Sequence, residues 1–172
     1  INDAREDPAS GFDTLELMAL ALERADHDAG GGLLARADFL GIENQVSSEI
    51  TAWPAEAPIT PHLLRRTGIA PRSTLLTREP SGDGPVFLLN HAANLIANGE
   101  AEVAAIVGAE ALRTAAYRNA ARKDEGSGKS NVMRDLLDQS VRPFLRKYGL
   151  MTPADVYPLY ETGTRAAWGQ SF

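Results

Sequence analysis

At 172 residues, with 44% hydrophobic and 23% charged side chains, the chain is long enough for one ordinary core and is composed as a folded protein, not a disordered one. Its net charge of -6 and pI near 5.1 argue against a binder of the phosphate backbone, whose footprint is a basic stripe, so nucleic acid is not an expected partner. Cysteine is absent, which excludes a disulfide framework, thiolate metal sites and any thiolate nucleophile. No stretch approaches the roughly 20 apolar residues of a spanning helix, and INDAREDPAS is acidic where a leader would be basic, so a cytoplasmic protein without a membrane span is expected. The start at Ile1 and the end at Phe172 read as cuts, and a piece of a longer protein is expected.

Asp13 followed by Glu16 forms a capping-box pattern, and Leu15, Met18, Leu22 and Ala25 recur at helical spacing until Gly30, which predicts a helix from Thr14 to Asp28. Phe39, Leu40, Ile42 and Val46 suit a strand within Ala37 to Ser47. The prolines between Trp53 and Pro61 break any element, and PHLLRRTGIAP then reads as a short helix with Pro61 near its first turn and Gly68 as its C-terminal cap. Ser73 to Arg78, between Pro71 and Pro80, reads as a strand.

The next helix opens at Pro85. Leu88, Ala92, Leu95 and Ile96 form its apolar stripe, Leu89 and Ala93 widen that stripe, and Gly99 ends it. Val103 to Gly108 is a strand apolar on both faces, as in a covered parallel sheet. Strand, helix and strand in succession make a βαβ unit with a right-handed crossover, hence an α/β fold. Further on, Leu112 to Arg122 has helical composition and KDEGSGKSN is a polar loop. Val132 to Leu137 and Val141 to Tyr148 are helical pieces interrupted by Pro143, and Val156 to Trp168 is a helix with Pro158 in its first turn.

EGSGKS imitates the end of a phosphate-binding loop, but that pattern needs a glycine where Lys123 stands, so a surface loop is the better reading. No two histidines lie at ligand spacing, and a metal site has no support.

The segment from Pro80 to Glu110, PSGDGPVFLLNHAANLIANGEAEVAAIVGAE, joins a glycine-rich turn, an apolar helix and a buried strand. It resembles the nucleophile segment of the thiolase superfamily, with Asn90 and Gly99-Glu100-Ala101-Glu102 matching, while the nucleophile position falls on Gly82. VYPLYETGTRAAWG, from Val156 to Gly169, is similar to the helix that follows the loop domain in acyl-CoA proteins of the sterol carrier protein thiolase type. The resemblance runs from the first helix to the C-terminus. It implies roughly the N-terminal half of a thiolase-like fold, a parallel-rich mixed sheet covered by helices with part of a loop domain, divided as 1–122, 123–155 and 156–172.

What the resemblance implies for function is an acyl-CoA-binding protein of lipid metabolism, an acetyl-CoA acetyltransferase without the usual cysteine, with coenzyme A thioester as substrate or ligand and no covalently bound cofactor. Ser81, Gly82, Gly84 and Asn90 are then substrate-binding positions. A carbon–carbon lyase acting on CoA esters, or a non-catalytic CoA-binding module, are the alternatives. The catalytic partners of thiolases lie in a half this chain lacks, so these residues alone are not expected to complete a catalytic site. Pairing of two copies along Ser73 to Arg78, giving a homodimer, is also implied.

Several residues carry two readings. Gly82 cannot be acylated, yet a helix start at Gly82 to Gly84 offers N–H donors and partial positive charge to a thioester oxygen. Asp83 opposes such an oxyanion if turned inward, and capping of the helix is its favoured reading. His91 is a catalytic candidate, with packing favoured. Tyr157 with Tyr160 is an acid–base candidate, with packing on one helix face favoured. Lys123 and Lys129, with Arg118 and Arg122, form a basic cluster suited to the phosphates of coenzyme A, against a solvated helix face and loop.

Overall fold

The first helix, α1 (Thr14–Asp28), starts where its capping box dictates. The Asp13 carboxylate accepts the Glu16 N–H at 2.9 Å, and the Glu16 carboxylate accepts the Asp13 N–H at 2.9 Å. Arg118 adds a salt bridge to Asp13 at 3.3 Å and donates to the Gly11 carbonyl at 3.4 Å. The computed structural model describes residues 7, 10–45, 59–78, 80–124, 143–150 and 153–171, in two units spanning 1–127 and 128–172.

In the first unit α1 is followed by a 3-10 turn (Leu34–Arg36), β1 (Phe39–Ile42), α2 (Ile59–Thr67), β2 (Ser73–Leu76), α3 (Gly84–Ala97), β3 (Ala104–Val107) and α4 (Leu112–Asp124). The strands form a three-stranded sheet in the order β2-β1-β3, and both pairings are parallel. Phe39 pairs with Ser73 on one side and Ala104 on the other, and Ile42 pairs with Leu76 and Val107. The chain is therefore α/β, as its βαβ pattern predicts.

Alternation along β1 divides the core. Leu40 and Ile42 are fully buried and join Met18, Leu22, Ile59 and Leu63, so α1 and α2 cover one face. Gly41 turns to the opposite face, where a Cβ would lie 3.1 Å from the Leu88 Cδ2, so α3 covers that side at close range. A layer of helices on either side of a parallel sheet satisfies strands that would otherwise expose apolar surface.

Several boundaries and faces differ from the sequence reading. β1 takes Phe39 to Ile42 of the stretch Ala37 to Ser47, in which a strand was expected; Val46 and Ser47 lie outside the described residues. β2 and β3 also stop short of Arg78 and Gly108. β3 is half-buried at Ala104, Ala105 and Ile106 and buried only at Val107, since among the described residues nothing pairs with its outer edge. On α1, Leu17 and Ala19 are buried while Ala25 is exposed. On α3, Leu88 and Ala92 are buried, but Leu89, Ala93 and Ile96 face outward, because the sheet meets only one side of the helix. Gly68 and Gly99 end their helices with φ of 72° and 74°, the left-handed conformation that glycine adopts without strain.

The second unit holds α5 (Pro143–Lys147) and α6 (Pro153–Ala167). Pro143 opens a helix here where the sequence suggested an interruption, and Pro153 opens α6 ahead of Val156; a missing N–H costs nothing in the first turn. Pro158 thus sits inside α6, and the Thr162 hydroxyl donates to its carbonyl at 2.7 Å. The pieces expected over Trp53 to Pro58, Glu125 to Asn131 and Val132 to Leu137 lie outside the described residues. Among the described residues no helix is long and apolar enough to cross a membrane.

Candidate functional site

After β1 the chain crosses to β2 on one side, then returns past β1 to β3 on the other. The crossovers part at the C-terminal ends of β1 and β3, the place where open parallel sheets leave a crevice for ligands. A cleft of about 410 Å³ lies there, lined by Glu43, Asn44, Gln45 and Pro85 and by the chain from Ile106 to Glu110.

The backbone builds the floor of this cleft. Glu43 N–H donates to the Val107 carbonyl at 2.9 Å, and Thr77 N–H to the Ile42 carbonyl at 3.0 Å, so each continues its ladder one residue past the strand. Thr77 is buried, and its hydroxyl oxygen accepts the Asn44 N–H at 2.8 Å. That hydroxyl donates to the Glu43 Oε2 at 3.1 Å, while Ser81 N–H donates to the Glu43 Oε1 at 3.3 Å. Asn44 adds a bond from its side-chain amide to the Arg78 carbonyl at 3.2 Å, and its Oδ1 accepts the N–H of the buried Gln45 at 2.9 Å.

Two glycines make room for the Glu43 side chain. A Cβ on Gly84 would overlap its carboxylate, and a Cβ on Gly108 would lie 2.9 Å from its Cβ. Gly84 is the first residue of α3, so this carboxylate occupies the positive end of the helix dipole.

The residues singled out in the sequence fall as follows. Ser81, Gly82 and Gly84 form the turn into α3 beside the cleft; Ser81 N–H is engaged by Glu43, and Gly84 N–H points to the Ser81 carbonyl at 3.4 Å. Asp83 precedes α3 with helical dihedrals and makes no side-chain capping bond, contrary to the capping reading. Its carboxyl is held below the usual carboxylate value, first by the Ser81 hydroxyl and then by its own N–H. A side chain folded back onto its own turn is not available to the later N–H groups of the helix.

Asn90 is exposed on α3 and does not line the cleft. His91 packs its ring 5.2 Å from Phe39 and 6.4 Å from Phe87, which is the packing reading of that residue. Lys123 belongs to the last turn of α4, and Lys129 lies outside the described residues. Arg118, counted with them as a basic cluster, is committed to Asp13 and Gly11. Tyr157 and Tyr160, in α6 of the second unit, are both exposed with ring centres 6.3 Å apart.

Glu43, Asn44, Gln45 and Thr77 carry no motif in the sequence that marks them as site residues. Their one signal was position: each stands just beyond the C-terminal end of a parallel strand. A second, mainly apolar cleft of about 250 Å³ runs between the end of α1 and β3. Asp26 shapes its rim, accepting Leu34 N–H at 2.7 Å and Gly32 N–H at 3.0 Å, and these bonds, Leu34 first, hold its carboxyl below the usual value. Among the described residues no group of three or more His, Cys, Asp and Glu side chains could hold a metal ion. Comparisons with protein families, with curated proteins and with solved structures find no match for this chain.

Proposed function

We propose that the chain is a thiolase-like acyl-CoA-binding domain that holds the acyl end of a coenzyme A thioester in the cleft at the ends of β1 and β3. The observation that carries this reading is the cleft's position. Pro85 in its wall opens the helix whose preceding turn, Ser81 to Gly84, resembles the thiolase nucleophile segment. Gly82 and the absence of cysteine remove the cysteinyl acyl-enzyme, so on this reading acyl transfer proceeds by direct attack on the bound thioester.

Carbon–carbon cleavage of a CoA ester is the second reading, favoured by one feature: a carboxylate lines the cleft, and such cleavage needs a base. Pairing of two copies along the exposed edge strand β2 completes the proposal.

Calorimetry with acetyl-CoA and with free coenzyme A, followed by intact-mass measurement, tests it. Saturable binding of the thioester with no added mass after incubation is expected. Absence of binding contradicts the cleft's assignment, and a stable acyl adduct contradicts the non-covalent chemistry.

A further inference from the structure

We infer that Glu43 is the acid–base residue of this cleft, exchanging a proton with the carbon next to the thioester carbonyl, and that Thr77 is the residue that positions it. This rests on the thioester reading above and goes beyond it by naming the group that does chemistry.

A carboxylate has about four lone-pair sites. Ser81 N–H takes one on Oε1 and the Thr77 hydroxyl takes one on Oε2, while the side chain lines the cleft. The direction of the Thr77 proton is fixed from behind. Its oxygen already accepts the Asn44 N–H at 2.8 Å, so the hydroxyl hydrogen is directed to Glu43. Contact with the backbone at Gly84 and Gly108 limits sideways movement of Glu43. A base held by two donors and two close backbone approaches has one orientation, which general-base catalysis at carbon requires.

The step balances without a co-reactant. The Cα–H bond of the thioester breaks, the proton passes to a Glu43 oxygen, and the electron pair forms the enolate. Return of the proton restores the thioester. In heavy water this partial reaction appears as replacement of α-hydrogen by deuterium.

The experiment follows deuterium entry into the acetyl group of acetyl-CoA by NMR, using the 172-residue chain, beside calorimetric binding of the same thioester. Glu43→Gln, close in shape, is expected to bind acetyl-CoA within about threefold of the wild type and to lose exchange by about 100-fold or more. Thr77→Val is expected to lower exchange at saturating thioester by about tenfold with affinity unchanged, and Thr77→Ser to restore it. Circular dichroism confirms that each variant is folded.

A wild-type chain that binds no thioester overturns the cleft's assignment and the inference with it. A chain that binds without exchange above buffer, or a Glu43→Gln variant that exchanges like the wild type, overturns the role of Glu43 alone. Exchange unchanged in Thr77→Val overturns the positioning role.

Discussion

Asp38 ties together the N-terminal ends of all three strands through one carboxylate. Its Oδ2 accepts Glu102 N–H at 2.7 Å and Val103 N–H at 3.2 Å ahead of β3, and its Oδ1 accepts Arg72 Nε at 2.8 Å ahead of β2. These bonds, Glu102 first, then Val103 and Arg72, hold the carboxyl below its ordinary value. A depressed folded-state value means that the stabilisation is complete above the unfolded carboxylate pKa of about 3.9 and is lost as pH falls through the lower folded value. Asp38→Asn is therefore expected to unfold at lower urea than the wild type at pH 7, with the gap closing below about pH 4. An equal gap at both pH values, measured by urea titration, would show that the charge of Asp38 is not what matters.

At the scale of elements, α3 has two apolar sides and only one is covered. Leu88 is fully buried against Gly41, whereas Leu89, the next residue, is 61% exposed. Leu88→Ala should cost about 2–5 kcal/mol through lost burial and the cavity left behind. Leu89→Ala should stay within about 0.5 kcal/mol, as surface changes usually do. Comparable losses at both positions in denaturant unfolding would contradict the packing of α3 on β1. The helix itself was legible from Pro85, the leucines and Gly99, because these are local signals. Which of its apolar residues would be covered was not, since composition states that a helix wants a partner without stating on which side it finds one.

The same division runs through α1. Its span, Thr14 to Asp28, follows from Asp13, Glu16 and a 3.6-residue period, all readable within the segment. The position of Glu43 required more. A glutamate after a short strand has no distinguishing pattern, and it becomes a site residue only because β3 lies beside β1 and the first turn of α3 approaches from another part of the chain. In the sequence alone, the helix start at Gly82 to Gly84 reads as a set of open donors. The fold instead brings a carboxylate from a distant segment to that turn, and strand order is the long-range fact that a single sequence does not carry.

For the whole molecule, the order β2-β1-β3 is the feature from which the functional reading grows. It sets one cleft at the point where the crossovers part and lines it with residues just past β1, the start of α3 and the end of β3 with the chain beyond it. On the proposed reading the acyl end of the ligand enters the cleft, because the Glu43 and Glu110 side chains there are carboxylates and the other end of coenzyme A carries phosphates. Photo-labelling tests that placement most directly: a CoA thioester with a diazirine in its acyl chain is irradiated with the full chain, and the labelled residues are mapped by mass spectrometry. Label is predicted on Glu43 to Gln45 and Gly108 to Glu110, competed away by excess acetyl-CoA. Label spread over the surface, or unaffected by the competitor, would contradict a thioester site in this cleft.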